Sequence, residues 1–143
     1  MEMVKTSDLL LEATLSKNET LVAELVESLH NHQAGLDFYN NEQALRSVLK
    51  LGYISAIDRY VTIQELPSGK GYADIVLIPR HNSNTPVVII ELKWNHAVDT
   101  TINQIKKRNY PDALKGFTDH ILIVGINYDA KTKKHECKIE IYT

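Results

Sequence analysis

One cysteine, Cys137, stands in 143 residues. A chain with a single thiol builds no internal disulfide framework and suits a reducing compartment. No apolar run approaches the roughly 18–20 residues that span a bilayer. The opening residues Met1-Glu-Met-Val-Lys-Thr-Ser-Asp8 lack the basic-then-apolar plan of a signal peptide. A cytoplasmic protein without a membrane partner is therefore expected. Neither charge sign dominates: 16 Lys and Arg face 18 Asp and Glu, for a net charge of −2. Nothing global calls for a polyanionic partner. The chain also shows no internal repeat, low-complexity tract or evident linker. Its length suits one domain, and 43% hydrophobic residues supply a core.

What the chain does contain is a pair of apolar, β-branched runs, Gly71-Tyr-Ala-Asp-Ile-Val-Leu-Ile-Pro79 and Val87-Val-Ile-Ile-Glu-Leu-Lys-Trp94. Both read as strands. The polar link 80–85 predicts an antiparallel hairpin. Asp74, Glu91 and Lys93 interrupt these runs, and charges are rare at buried strand positions unless paired or bound to a metal. Positions 74 and 91 are equidistant from the middle of the turn, so a simple hairpin sets them opposite each other with Cβ atoms about 5 Å apart. Glu91 and Lys93 share a face because side chains alternate along a strand. Two opposed carboxylates repel unless a proton or cation lies between them. An oxygen-only donor set suits a hard divalent ion such as Mg²⁺. Taken singly, the same residues have plainer readings: an ion pair between Glu91 and Lys93, or a lysine snorkelling at a strand end.

The remaining chain frames this hairpin. A first helix is predicted from Ser7 or Asp8. A second is expected from the capping-box pattern Ser16-Lys-Asn-Glu19 and ends by Gly35. A third runs from about Asn41 to Ile57. Glu42, three and seven residues before Leu45 and Leu49, points along the inner face of that third helix. It is either a helix-dipole partner or a third acid aimed at the sheet. Residues 60–66 alternate as a strand, and 67–71 form a turn. A helix over about 98–109 carries Gln104 at the edge of its inner face. Buried and outer strands follow at 120–127 and 135–142. His135 and Cys137 share a strand face, a minimal beginning for a transition-metal site with no further ligands near it. Residues 91–143 hold 9 Lys and Arg against 7 Asp and Glu, concentrated at Lys106-Lys107-Arg108 and at Lys131, Lys133 and Lys134. Such runs track phosphates or simply solvate a surface.

The ordered motifs Gly69-Lys-Gly71-Tyr-Ala-Asp74-Ile, Ile90-Glu-Leu-Lys-Trp94, Gln104-Ile-Lys-Lys-Arg-Asn-Tyr110 and Ile123-Val-Gly-Ile-Asn-Tyr-Asp129 resemble the PD-(D/E)XK nuclease superfamily. In particular they are similar to the nuclease-like domain at the C-terminus of bacterial proteins that begin with an AAA-type ATPase domain. The resemblance covers about residues 38–143. It implies an α/β, restriction-endonuclease-like core: a central mixed sheet flanked by helices, residues 37–143, preceded by an N-terminal helical extension, residues 1–36, as the junction to an upstream ATPase domain. It implies Mg²⁺, with Mn²⁺ as substitute, held by Asp74, Glu91 and the backbone carbonyl of Leu92. Lys93 would act on water or phosphate, with Gln104 and Glu42 completing the catalytic set. DNA is the implied partner, with RNA as the alternative and a homodimer left open. The chain departs from the pattern at Pro67 and Tyr72, where many members carry an acid and an arginine, and at Ala73, where the usual residue is proline. The rival expectation is a catalytically inactive module of the same fold that binds nucleic acid or protein.

Overall fold

The computed structural model describes residues 2–32, 42–54, 56, 59–68, 71–80, 85–94, 121–129 and 131–142. Among these, three helices precede a five-stranded sheet: α1 (Glu2–Leu15), α2 (Glu19–His32), α3 (Glu42–Gly52), β1 (Tyr60–Ser68), β2 (Gly71–Pro79), β3 (Val87–Trp94), β4 (Ile121–Asp129) and β5 (Lys134–Tyr142). The sheet order is β1-β2-β3-β4-β5. Only the β3–β4 pairing is parallel. The mixed sheet with helices against it is the α/β core predicted above. Among the described residues, no helix is long and apolar enough to cross a membrane.

The predicted hairpin is present in the predicted register. Ile75 pairs with Ile90, Val76 with Ile89 and Leu77 with Val88; the ladder stops there, one residue before Asp74 and Glu91 on their strands. Alternation then sorts the strands into two faces. Ile75, Leu77, Val88, Ile90, Leu92, Leu122, Val124, Ile126, Tyr128 and Ile139 form one cluster with Leu10, Leu11, Val22, Val26, Leu29, Leu49 and Tyr53 of the helices. Helices α1 and α2 thus share one core with the sheet. The opposite face carries Val76, Val87, Ile89 and Ile123, all fully buried, together with Asp74, Glu91 and Lys93.

Several boundaries differ from expectation for identifiable reasons. Helix α1 begins at Glu2, and Ser7 lies fully buried inside it rather than capping it. Ser16 closes α1 instead of opening α2: its hydroxyl donates to the Glu12 and Ala13 carbonyls at 2.9 and 3.2 Å. Lys17 takes the left-handed conformation, φ 61°. Asn18 N–H then reaches the Ala13 carbonyl and Lys17 N–H the Thr14 carbonyl, at 2.9 and 3.1 Å, a Schellman closure. Asn18 is the cap of α2, its Oδ1 accepting Leu21 N–H at 3.2 Å. Glu19, freed from the predicted capping box, instead accepts Ile139 N–H at 2.7 Å. Helix α3 stops at Gly52, short of Ile57. A Cβ at Gly52 would sit 2.9 Å from side-chain atoms of both Leu10 and Leu29, so the glycine lets α3 close onto α1 and α2. Strand β1 runs on through Pro67 and Ser68, which pair with Tyr72 and Gly71. Proline is tolerated there because β1 is an edge strand.

Candidate active site on the second face of the sheet

The site is assembled where the β2–β3 ladder loses its regularity. Asp74 is 6% exposed and Glu91 2% exposed. Asp74 Oδ2 accepts the Leu92 N–H at 2.7 Å, so a side chain from β2 takes a main-chain donor of β3. Its other oxygen, Oδ1, lies 2.8 Å from Nε of Arg46, which α3 delivers from the helical layer. On β3 itself, Lys93 Nζ lies 3.6 Å from Glu91 Oε1, the same-face relation that two-residue spacing requires. Two buried carboxylates and two cations therefore meet at one end of the central hairpin. Their charges balance, which is the condition for burying such groups at all.

The parallel β3–β4 register extends the row. Glu91 pairs with Gly125 and Lys93 with Asn127. Asn127 is 5% exposed, a polar side chain beside the lysine on the same face. Gly125 projects no side chain, so nothing from β4 stands directly beside Glu91. On the far side Gly125 pairs with Lys138 of β5.

Of the residues singled out from sequence, Asp74, Glu91 and Lys93 are brought together. Gln104 lies outside the described residues, as does the side chain of Glu42, the first residue of α3. The basic run 106–108 is likewise outside them. Sequence reasoning missed Arg46 and Asn127. Arg46 was within reach: it lies four residues after Glu42, one turn along the same stripe. Asn127 had a weaker signal, a polar residue ending an apolar strand.

The donor chemistry fits a hard divalent cation. The two acids are oxygen donors, both are buried, and they follow directly on the last paired residues, Ile75 and Ile90. No cluster of three or more His, Cys, Asp or Glu side chains suited to a metal ion occurs among the described residues. Further oxygens would have to come from the main chain, water or residues outside that set. The His135–Cys137 pair does not make a rival centre. His135 Nδ1 is 3.9 Å from Glu27 Oε1, and its ring packs 4.6 Å from that of Tyr128. Burial, reinforced by the nearby Glu19 carboxylate, pushes the Cys137 thiol far above its usual range. Both line a depression of about 380 Å³ between α2 and β5, with Glu19, Glu24, Glu27 and Glu136 around it. Four acids there disfavour a phosphate ligand.

The PD-(D/E)XK nuclease superfamily model matches residues 40–138. That span begins just before α3 and ends within β5, and it contains Arg46, Asp74, Glu91, Lys93 and Asn127. No curated protein matches the chain.

Proposed function

From a chain that belongs to the PD-(D/E)XK nuclease superfamily, we propose Mg²⁺-dependent hydrolysis of DNA phosphodiester bonds at the end of the β2–β3 hairpin. The observation that carries this reading is the convergence of two buried carboxylates and a lysine on one face, Asp74 on β2 with Glu91 and Lys93 on β3. Asp74 and Glu91 would hold the cation, joined by the Leu92 carbonyl. A divalent cation bound there supplies charge neutralisation at the phosphate and a more acidic water. Lys93, 21% exposed at its side chain, is the group able to face substrate from within the site. Its ammonium donates hydrogen bonds to the attacking water or to a non-bridging phosphate oxygen, where negative charge accumulates. The Leu92 N–H fixes the Asp74 carboxylate through Oδ2, so one ligand is oriented before substrate arrives. Glu42 and Gln104 are proposed to complete the catalytic set, Glu42 from the first turn of α3. DNA is the proposed substrate. The family as such supports a nuclease, and duplex, single-stranded and RNA substrates are separated by the assay.

That assay incubates the purified chain with supercoiled DNA, linear duplex, single-stranded DNA and RNA, with Mg²⁺, with Mn²⁺ and with EDTA. Cation-dependent cleavage of DNA is expected, falling at least about 100-fold in Asp74→Ala and Lys93→Ala. Cleavage that survives either substitution, or no cleavage of any substrate with any cation, refutes the reading.

A further inference from the structure

The two acids of the site have different cationic neighbours. Glu91 faces Lys93 across 3.6 Å, a loose contact between neighbours on one strand. Asp74 is contacted at both oxygens: Oδ2 receives the Leu92 N–H at 2.7 Å, and Oδ1 forms an ion pair with Arg46, 2.8 Å from Nε but without hydrogen-bond alignment to it. The ion pair joins two layers, since Arg46 belongs to α3 and Asp74 to β2. The Arg46 side chain is 25% exposed and that of Asp74 9%. The cation thus has a way towards solvent that the anion lacks.

With Arg46 and Lys93 in place, the four charges sum to zero. A divalent ion arriving at Asp74 with the guanidinium still at Oδ1 would put like charges within a few ångströms of one another in a poorly screened setting. Exchange of one cation for another at Oδ1 relieves this. Building on the reading of Asp74 as a cation ligand, we infer that Arg46 is an internal counter-ion which a divalent cation must displace from Asp74. Arg46 is then a positioning residue that sets the cation affinity of the site. In the cation-free protein it neutralises Asp74 and ties α3 to the hairpin. On loading, the guanidinium leaves Oδ1 while Leu92 N–H keeps Oδ2, so the carboxylate need not reorient.

The test needs no nucleic acid. Mn²⁺ binding is measured by calorimetry, and by the electron paramagnetic resonance of free Mn²⁺, for wild type, Arg46→Met, Arg46→Lys and Asp74→Asn. Melting temperatures are recorded with and without the ion. Arg46→Met is expected to bind Mn²⁺ about tenfold or more tightly than wild type, to melt lower without the ion, and to gain more from it. Arg46→Lys, which keeps a charge there, stays close to wild type. A second measurement uses the unaltered protein: phenylglyoxal modification of Arg46, followed by mass spectrometry, should speed up when Mn²⁺ is added. Equal or weaker Mn²⁺ binding by Arg46→Met, or Arg46 reactivity that stays constant or falls on loading, overturns the inference while leaving Asp74 as a ligand. Wild type that binds no more Mn²⁺ than Asp74→Asn overturns the metal reading itself, and the inference with it.

Discussion

The two faces of one sheet do different work, although alternate residues of the same strands build them. The face towards α1, α2 and α3 is apolar through Ile75, Leu77, Val88, Ile90, Leu92, Val124 and Ile126. Two of its hydroxyls pair with each other inside the helical layer. The Thr14 hydroxyl donates to the Leu10 carbonyl at 2.8 Å and meets the Tyr53 hydroxyl at 2.8 Å. The opposite face is equally buried at Val76, Ile89 and Ile123, yet it also carries Asp74, Glu91 and Asn127. On the first face, one carboxylate crosses between layers, from Glu19 of α2 to the Ile139 N–H of β5. On the second, the charges bridge layers and strands, from Arg46 to Asp74 to Leu92. The buried carboxylates of the sheet, Asp74 and Glu91, are confined to one face.

Adjacent residues of β3 give the strongest contrast. Ile90 points into the helical core and Glu91 into the site. Ile90→Ala should cost about 2–5 kcal/mol in urea unfolding while leaving the specific activity of the folded fraction intact. Glu91→Gln should stay within about 1 kcal/mol of wild type without metal, since removing a buried charge offsets its weakened contact with Lys93. It should also lose cleavage and the Mn²⁺-dependent rise in melting temperature. If both variants behaved alike in stability and activity, the division between the faces would fail.

Next in size is Gly52→Ala, expected to cost about 1–3 kcal/mol by pushing α3 off Leu10 and Leu29. Pairing it with Leu29→Ala, which makes room for the new methyl, should recover part of that loss. Strict additivity of the two would show that the close approach is not the cause. Tyr53→Phe removes one buried hydroxyl contact and should cost about 1 kcal/mol. Burial raises the Tyr53 pKa, with the Thr14 hydroxyl bond as a smaller opposing influence. The variant should leave cleavage and Mn²⁺ binding unchanged, and a change in either would couple the two faces.

The smallest effect concerns pH. Burial, with a lesser contribution from Glu19, holds the Cys137 thiol neutral in the folded chain well past its ordinary range. The unfolded thiol ionises near pH 8.5. Stability tied to this group is therefore complete below that pH and declines as pH rises above it, by at most about 1.4 kcal/mol per pH unit. Urea midpoints from pH 7 to 10 should fall faster for wild type than for Cys137→Ala. Parallel slopes would mean that the thiol is not desolvated.

The central hairpin was legible in the sequence because two signals agreed on it. Alternation assigned Asp74, Glu91 and Lys93 to one face, and the symmetry of the turn paired position 74 with position 91, in line with the observed Ile75↔Ile90 register. Helix ends were less legible because capping chemistry is degenerate. Ser16 and Asn18 are both good caps, and choosing between them depended on the left-handed turn at Lys17 and on Glu19 finding a partner in β5. Pro67 resembled a turn residue until the strand holding it proved to be an edge. Arg46 was legible as a position on the Glu42 stripe, but its partner was not: that depends on the distance between α3 and β2, which no local pattern encodes.

The contact between Glu19 and Ile139 spans 120 residues and has a consequence for biosynthesis. The β5 main chain pairs with β4 on one side, and on the other its Ile139 N–H meets the Glu19 carboxylate. An exposed strand edge is a template for pairing with other chains. On a ribosome, the guard for that edge is translated long before the strand it protects. Helix α2 must wait for the rest of the sheet, and until β5 emerges Glu19 has no amide to receive. Once it does, a single glutamate both begins a helix and closes the border of the sheet against a neighbouring chain.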